Sequence, residues 1–176
     1  MSSLNLSTHT IREFEGLRGW LAMVVILGHW GKTLPQSLAP LPQYLWATDA
    51  VDVFIMLSGF VITALLSRGG EHYWRYILRR WFRLWPAFVV ALALGSLLLS
   101  FTEHVLRETL PAMMREERLR MVVDAQQHFW LHLVAHLTLL HGLAPEALSR
   151  FMPYAIVGQG WSISLEWQFY LLAPLF

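Results

Sequence analysis

No cysteine occurs among the 176 residues, which excludes disulfides, thiolate metal sites and cysteine nucleophiles together. Charge is scarce as well: 14% of residues are Asp, Glu, Lys or Arg and 56% are hydrophobic, against about 25% charged in an ordinary soluble domain. That much apolar surface exceeds what one aqueous core would bury, so the lipid bilayer is the expected solvent and partner. The formal net charge of +1 excludes a nucleic-acid partner held by bulk electrostatics. Lysine is nearly missing: of the 13 basic residues only Lys32 is Lys. The arginines favour planar, bidentate recognition of phosphate or carboxylate over a solubilising coat. Internal repeats and low-complexity segments are absent.

What is present are five apolar stretches: Leu17 to Leu34, Val51 to Leu66, Leu84 to Phe101, Phe129 to Leu143, and Trp161 to Phe176. Each falls somewhat short of the roughly 20 residues of an ideal span, and Trp20, Trp46, Trp85, Trp130 and Trp161 extend them as interfacial anchors. Pro86 is expected in the first turn of the third, where its missing N–H is harmless. The expected fold is all-α, a polytopic transmembrane bundle with four complete spans and the start of a fifth. Ser37-Leu38-Ala39 resembles a signal-peptide cleavage site, but Glu13, Glu15 and His29 do not fit a signal sequence.

Between Ser67 and Arg83 lie Arg68, Arg75, Arg79, Arg80 and Arg83 against Glu71 alone. Read as a loop, this segment is cytoplasmic by the positive-inside rule, and so is the N-terminus. The connection from Thr102 to Gln127 balances four arginines (107, 115, 118, 120) with five acids (103, 108, 116, 117, 124) and is expected outside. Within it Leu106, Leu110, Met113, Met114 and Met121 fit an amphipathic surface helix or a plain solvated one.

Ionisable groups inside apolar stretches cost several kcal/mol, so they are functional candidates on physical grounds alone. Arg18 and His29 are 11 residues apart; at about 100° per residue they return to one helix face, separated by about 16 Å along the axis. A snorkelling arginine and a hydrogen-bonded core histidine would leave the same pattern. Glu166 lies five residues into the last stretch, where a buried carboxylate must find a partner or become protonated. Asp52 and Glu15, near span ends, read as capping or pairing groups. Ser58 precedes Gly59 and reads as a packing residue more than a nucleophile. His128, His132 and His136 form one stripe at four-residue spacing; with no HExxH pattern and no carboxylate in the reading, they serve cavity lining or interhelical hydrogen bonding better than zinc.

Four blocks resemble the acyltransferase-3 family of membrane proteins. They are Glu15-Gly16-Leu17-Arg18-Gly19 followed by Gly28-His29, with the family's Arg-x10-His spacing; Val51-Asp52-Val53-Phe54-Ile55-Met56-Leu57-Ser58-Gly59-Phe60-Val61-Ile62-Thr63; Arg80-Trp81-Phe82-Arg83-Leu84-Trp85-Pro86; and Trp161-Ser162-Ile163-Ser164-Leu165-Glu166-Trp167-Gln168-Phe169-Tyr170-Leu171-Leu172. Their order and reach make the resemblance specific.

The resemblance implies O-acyl transfer from acyl-CoA, acetyl-CoA by default, to a hydroxyl of a glycan or other acceptor, in a bacterial-type inner membrane. His29 would be the general base, or an acyl relay, with Arg18 on the same face orienting the partner of His29, neutralising developing negative charge or holding the donor. Glu166 would tune His29 or pair with Arg18. Arg80 and Arg83, with Arg79 beside them, would take the donor's phosphates. No metal is expected. Family members carry about ten spans, so residues 1–176 are expected to be the N-terminal part of one membrane acyltransferase domain whose C-terminal helices complete the bundle. The competing reading is a non-catalytic membrane protein, a remnant or a transport or scaffold half; a zinc-dependent enzyme ranks third.

Overall fold

The computed structural model describes residues 8–31, 45–67, 72–109 and 112–175; within these, the side chains of 8–12, 15, 29–31, 45–48, 109 and 112–115 are not described. The described residues form six α-helices and no strand: α1 (Thr8–Gly31), α2 (Leu45–Leu66), α3 (Tyr73–Thr109), α4 (Ala112–Gln127), α5 (Phe129–Leu137) and α6 (Gly160–Leu172). Single 3-10 turns follow at His141–Leu143 and Ala173–Leu175. The chain divides into two compact units, Met1–His72 with Ala173–Phe176, and Tyr73–Leu172.

In the first unit α1 packs on α2. Ser58, Val61 and Ile62 are buried on α2, the one-face spacing of a packed helix, and Phe14 meets Phe60 edge-on at 5.3 Å between ring centroids. The outward side of α1 exposes Trp20, Met23, Ile26 and Leu27. Contiguous exposed apolar residues on this scale suit lipid, not water.

The second unit is built on α3, 37 residues and so about 55 Å long. Phe88, Leu92, Leu99 and Leu106 are buried along one face, while Leu94, Leu97, Leu98 and Phe101 are exposed on the other. Two expectations change here. The arginine segment is not a loop from Tyr73 onward: Arg75, Arg79, Arg80 and Arg83 sit on the first turns of α3, because Arg, Leu and Trp propagate a helix and no Gly or Pro interrupts them. Pro86 is therefore inside the helix, not in its first turn, where its ring removes the bond that Phe82 O would accept. At the other end α3 continues past Phe101, so Leu106 belongs to α3 and Met121, half-buried, to α4. The surface helix expected between them is divided; Leu110 and the side chains of Met113 and Met114 lie outside the described residues.

Two helices among the described residues are long and apolar enough to cross a membrane, over Asp49–Leu66 and Tyr73–Glu108, rather than the four expected. The apolar part of α1 is shorter, Gly16–Gly28, and α6 has 13 residues. The fourth stretch breaks after the nine residues of α5. Thr138 Oγ1 donates to Ala135 O at 2.7 Å, and Leu139 adopts φ 59° while its N–H closes on His136 O at 2.9 Å. A left-handed leucine costs roughly 1–2 kcal/mol. Its side chain is fully buried, a gain of about 1.5–3 kcal/mol that offsets the strain. At Gly95 the fold needs glycine for a different reason: a Cβ there would stand 2.7 Å from the carbonyl oxygen of Ile156, so the irregular 138–159 segment lies directly on α3.

Candidate active site

Four-residue spacing on α3 turns Tyr76 and Arg80 inward together; both are buried, whereas Arg79 and Arg83 are exposed. The Arg80 guanidinium carbon lies 5.4 Å from the ring centroids of both Tyr76 and Tyr170, the range of a cation held against aromatic faces. Its Nε–H is buried and has no hydrogen-bond partner among the described residues. Tyr170, on α6, is fully buried and donates its hydroxyl proton to Glu166 Oε1, one turn earlier. Trp81 packs edge-on against Trp167 at 5.1 Å and stacks with Trp85 at 5.8 Å. The three arginines expected to act alike thus divide: two face outward and one is enclosed by aromatic rings. Glu166, expected to face Arg18 or His29, has Tyr170 as a partner in its own unit.

What holds α6 against α3 at this angle begins at its first residue. A Cβ on Gly160 would lie 3.2 Å from His141 Nε2 and 3.3 Å from the Phe88 ring, so the first turn of α6 rests on a stack of rings. His141 and His136 are parallel within 2° at 4.1 Å between centroids, and Phe88 lies parallel to His141 at 5.7 Å. His136 Nδ1–H donates to His132 O at 2.8 Å, and His132 Nε2–H donates to Asp124 Oδ2 at 2.9 Å. Asp124 also receives Ser149 Oγ–H at 2.7 Å and His128 Nδ1 at 3.1 Å. The expectation that no carboxylate accompanies the histidine stripe is therefore corrected: Asp124 opens it, four residues before His128. Burial raises the Asp124 pKa, and the hydrogen bonds from Ser149 and His132 more than reverse this, holding the carboxyl below its ordinary 3.8.

Further bonds satisfy the backbone of the broken segment. Trp85 Nε1–H donates to Leu137 O at 3.2 Å, one of the carbonyls that a helix C-terminus leaves unpaired, and Gly142 N–H donates to Ser164 Oγ at 3.0 Å. Among the described residues no three His, Asp or Glu side chains converge to hold a metal ion. A cleft of about 530 Å³ is lined by Glu117, Met121, Glu146, Arg150, Phe151 and Tyr154, none of them a residue expected to act in catalysis or donor binding.

In the first unit Arg18 is buried, its guanidinium 4.8 Å from the Phe54 ring centroid. It does not snorkel outward. Helix α1 is unbroken between Arg18 and His29, the condition on which their shared face depends; the side chains of His29 and Glu15 lie outside the described residues. Ser58 Oγ–H donates to Phe54 O at 2.8 Å, a bond to its own helix. Asp52 is exposed.

A family model described as an acyltransferase domain, that of the acyltransferase-3 family, matches residues 11–176. The chain belongs to the acyltransferase-3 family. No curated protein and no solved structure matches it. The match runs through both units of this acyltransferase domain and takes in Arg18, His29, Arg79, Arg80, Arg83 and Glu166. Sequence reasoning missed Tyr76, Tyr170, Asp124, His141 and Ser149. Tyr76 and Tyr170 carry a usable signal, one turn before Arg80 and one turn after Glu166; His141 and Ser149 carry none, since an irregular segment brings them in.

Proposed function

We propose that this acyltransferase domain acts in a membrane, moving an acyl group, acetyl by default, from cytoplasmic acyl-CoA to a hydroxyl of a glycan or other acceptor. The observation that carries the reading is the arrangement on the first turns of α3, where exposed Arg79 and Arg83 flank the enclosed Arg80. Exposed guanidinium forks suit a diphosphate, which stays partly hydrated when bound. A positively charged helix end beside a long apolar helix also fits the cytoplasmic face of a membrane.

His29 supplies the base in this reading. A neutral imidazole accepts the acceptor hydroxyl's proton as the oxygen attacks the thioester carbonyl; collapse of the tetrahedral intermediate breaks the C–S bond, and the thiolate takes a proton as coenzyme A leaves. Arg18, in the same helix, offsets the negative charge that develops. Two helices of sufficient length and apolarity support the membrane assignment; a cytoplasmic N-terminus follows in this reading from the arginine bias and requires that α1 cross as well.

Transfer of radiolabelled acetyl from acetyl-CoA in membranes carrying the protein tests this. His29→Ala is expected to lower transfer at least a hundredfold while acetyl-CoA still binds. Undiminished transfer by that variant would overturn the mechanism.

A further inference from the structure

Arg79, Arg80 and Arg83 occupy little more than one turn of α3, yet their surroundings differ. Arg79 and Arg83 are exposed, whereas Arg80 is 6% exposed and lies against Tyr76 and Tyr170, both buried. A diphosphate keeps much of its hydration and binds where water reaches. A guanidinium enclosed by tyrosine rings has lost that water, and its Nε–H, without a partner among the described residues, is the costly exception in a folded interior. An uncharged carbonyl oxygen on a narrow, largely aliphatic arm would satisfy it at little desolvation cost.

We infer that the trio is bipartite: Arg79 and Arg83 hold the nucleotide end of the acyl donor, and Arg80 donates its Nε–H to a carbonyl oxygen at the thioester end. Tyr170 is the positioning residue for Arg80. Its ring fixes the guanidinium and its hydroxyl is fixed by Glu166, so Glu166 acts on the donor through Tyr170. This rests on the acyl-CoA reading above and deepens it, because charge-assisted donation in a dry site also stabilises the oxyanion that forms on that carbonyl.

The test uses two probes on the full chain in detergent micelles, acetyl-CoA and adenosine 3′,5′-bisphosphate, which carries the nucleotide end alone. Their dissociation constants are measured by calorimetry. The double variant Arg79→Ala/Arg83→Ala is expected to weaken both probes at least tenfold. Arg80→Lys, which keeps the charge but removes the Nε–H, and Tyr170→Leu are expected to weaken acetyl-CoA at least tenfold and the bisphosphate less than twofold. Tyr170→Phe, which keeps the ring and loses the bond to Glu166, falls between wild type and Tyr170→Leu for acetyl-CoA. Equal weakening of both probes by Tyr170→Leu and Arg80→Lys would make the cluster a general support, and no weakening would remove its role; either result overturns the inference while leaving the acyl-CoA reading intact. Failure of the wild-type chain to bind acetyl-CoA would overturn both.

Discussion

The two units solve the same problem differently. In the first, α1 and α2 are continuous helices of 24 and 22 residues that satisfy their own backbone bonds, and the buried cation Arg18 rests on an aromatic face. In the second, the chain breaks at Thr138 and runs irregularly to Gly160, so backbone groups enter the interior without helical partners. Buried backbone groups without helical partners are tolerated only where other protein groups satisfy them. Trp85 and Ser164 do so, Ser149 Oγ accepts the Phe151 N–H at 3.1 Å, and the line from Asp124 through His132, His136 and His141 carries α6 on top. Continuous helices need apolar side chains; broken ones need polar side chains in particular places.

The largest expected contrast comes from glycine. In the second unit Gly95→Val forces a side chain against Ile156 O and should destabilise by about 3 kcal/mol or more, read as a lowered midpoint of thermal unfolding in micelles. Next is Asp124→Ala, which strips the partner from fully buried His132 and from Ser149; it should cost about 1–3 kcal/mol and release the 144–159 segment to limited proteolysis before α1 or α2 is cut. If instead α1 and α2 were cut first, the polar line would not be what organises the second unit.

Acid should act on the same residue. Asp124 has a folded pKa below its ordinary 3.8, so the unfolded chain binds its proton more readily. The stability it contributes is therefore complete above about pH 5 and lost as pH falls through 4 toward the folded value. In Asp124→Asn the unfolding midpoint should vary less between pH 5 and 3 than in wild type; equal slopes would assign the acid sensitivity elsewhere. The smallest effect has the opposite sign. A Cβ on Gly19 meets nothing within 4 Å among the described residues, so Gly19→Ala in α1 should stabilise by about 0.5–1 kcal/mol through helix propensity.

How much of this was legible in the sequence follows from the same contrast. The long apolar runs of α2 and α3 were readable because a self-satisfied helix needs only sustained hydrophobicity. The break after Leu137 was not, since Thr138 and Leu139 look like any span residues until the left-handed turn brings His141 onto His136. The arginine segment was identified by charge but misread as a loop, because charge bias reports the side of a membrane and says nothing of backbone conformation. The histidine stripe was visible at four-residue spacing, yet its anchor Asp124 had been counted among the charges of a connection. Within the candidate site the charged residues were legible as costly exceptions in apolar surroundings. Tyr76 and Tyr170 offered only their one-turn spacing from Arg80 and Glu166, a signal that gains meaning once a guanidinium is found against their rings.

Amide hydrogen exchange of the full chain with and without saturating acetyl-CoA tests the central claim most directly, since it locates the donor without substitution. The account predicts added protection over residues 73–84 of α3 and over α6, with α4 and the 144–159 segment unchanged. Protection confined to α4 and the 144–159 segment, or none at saturation, would contradict it.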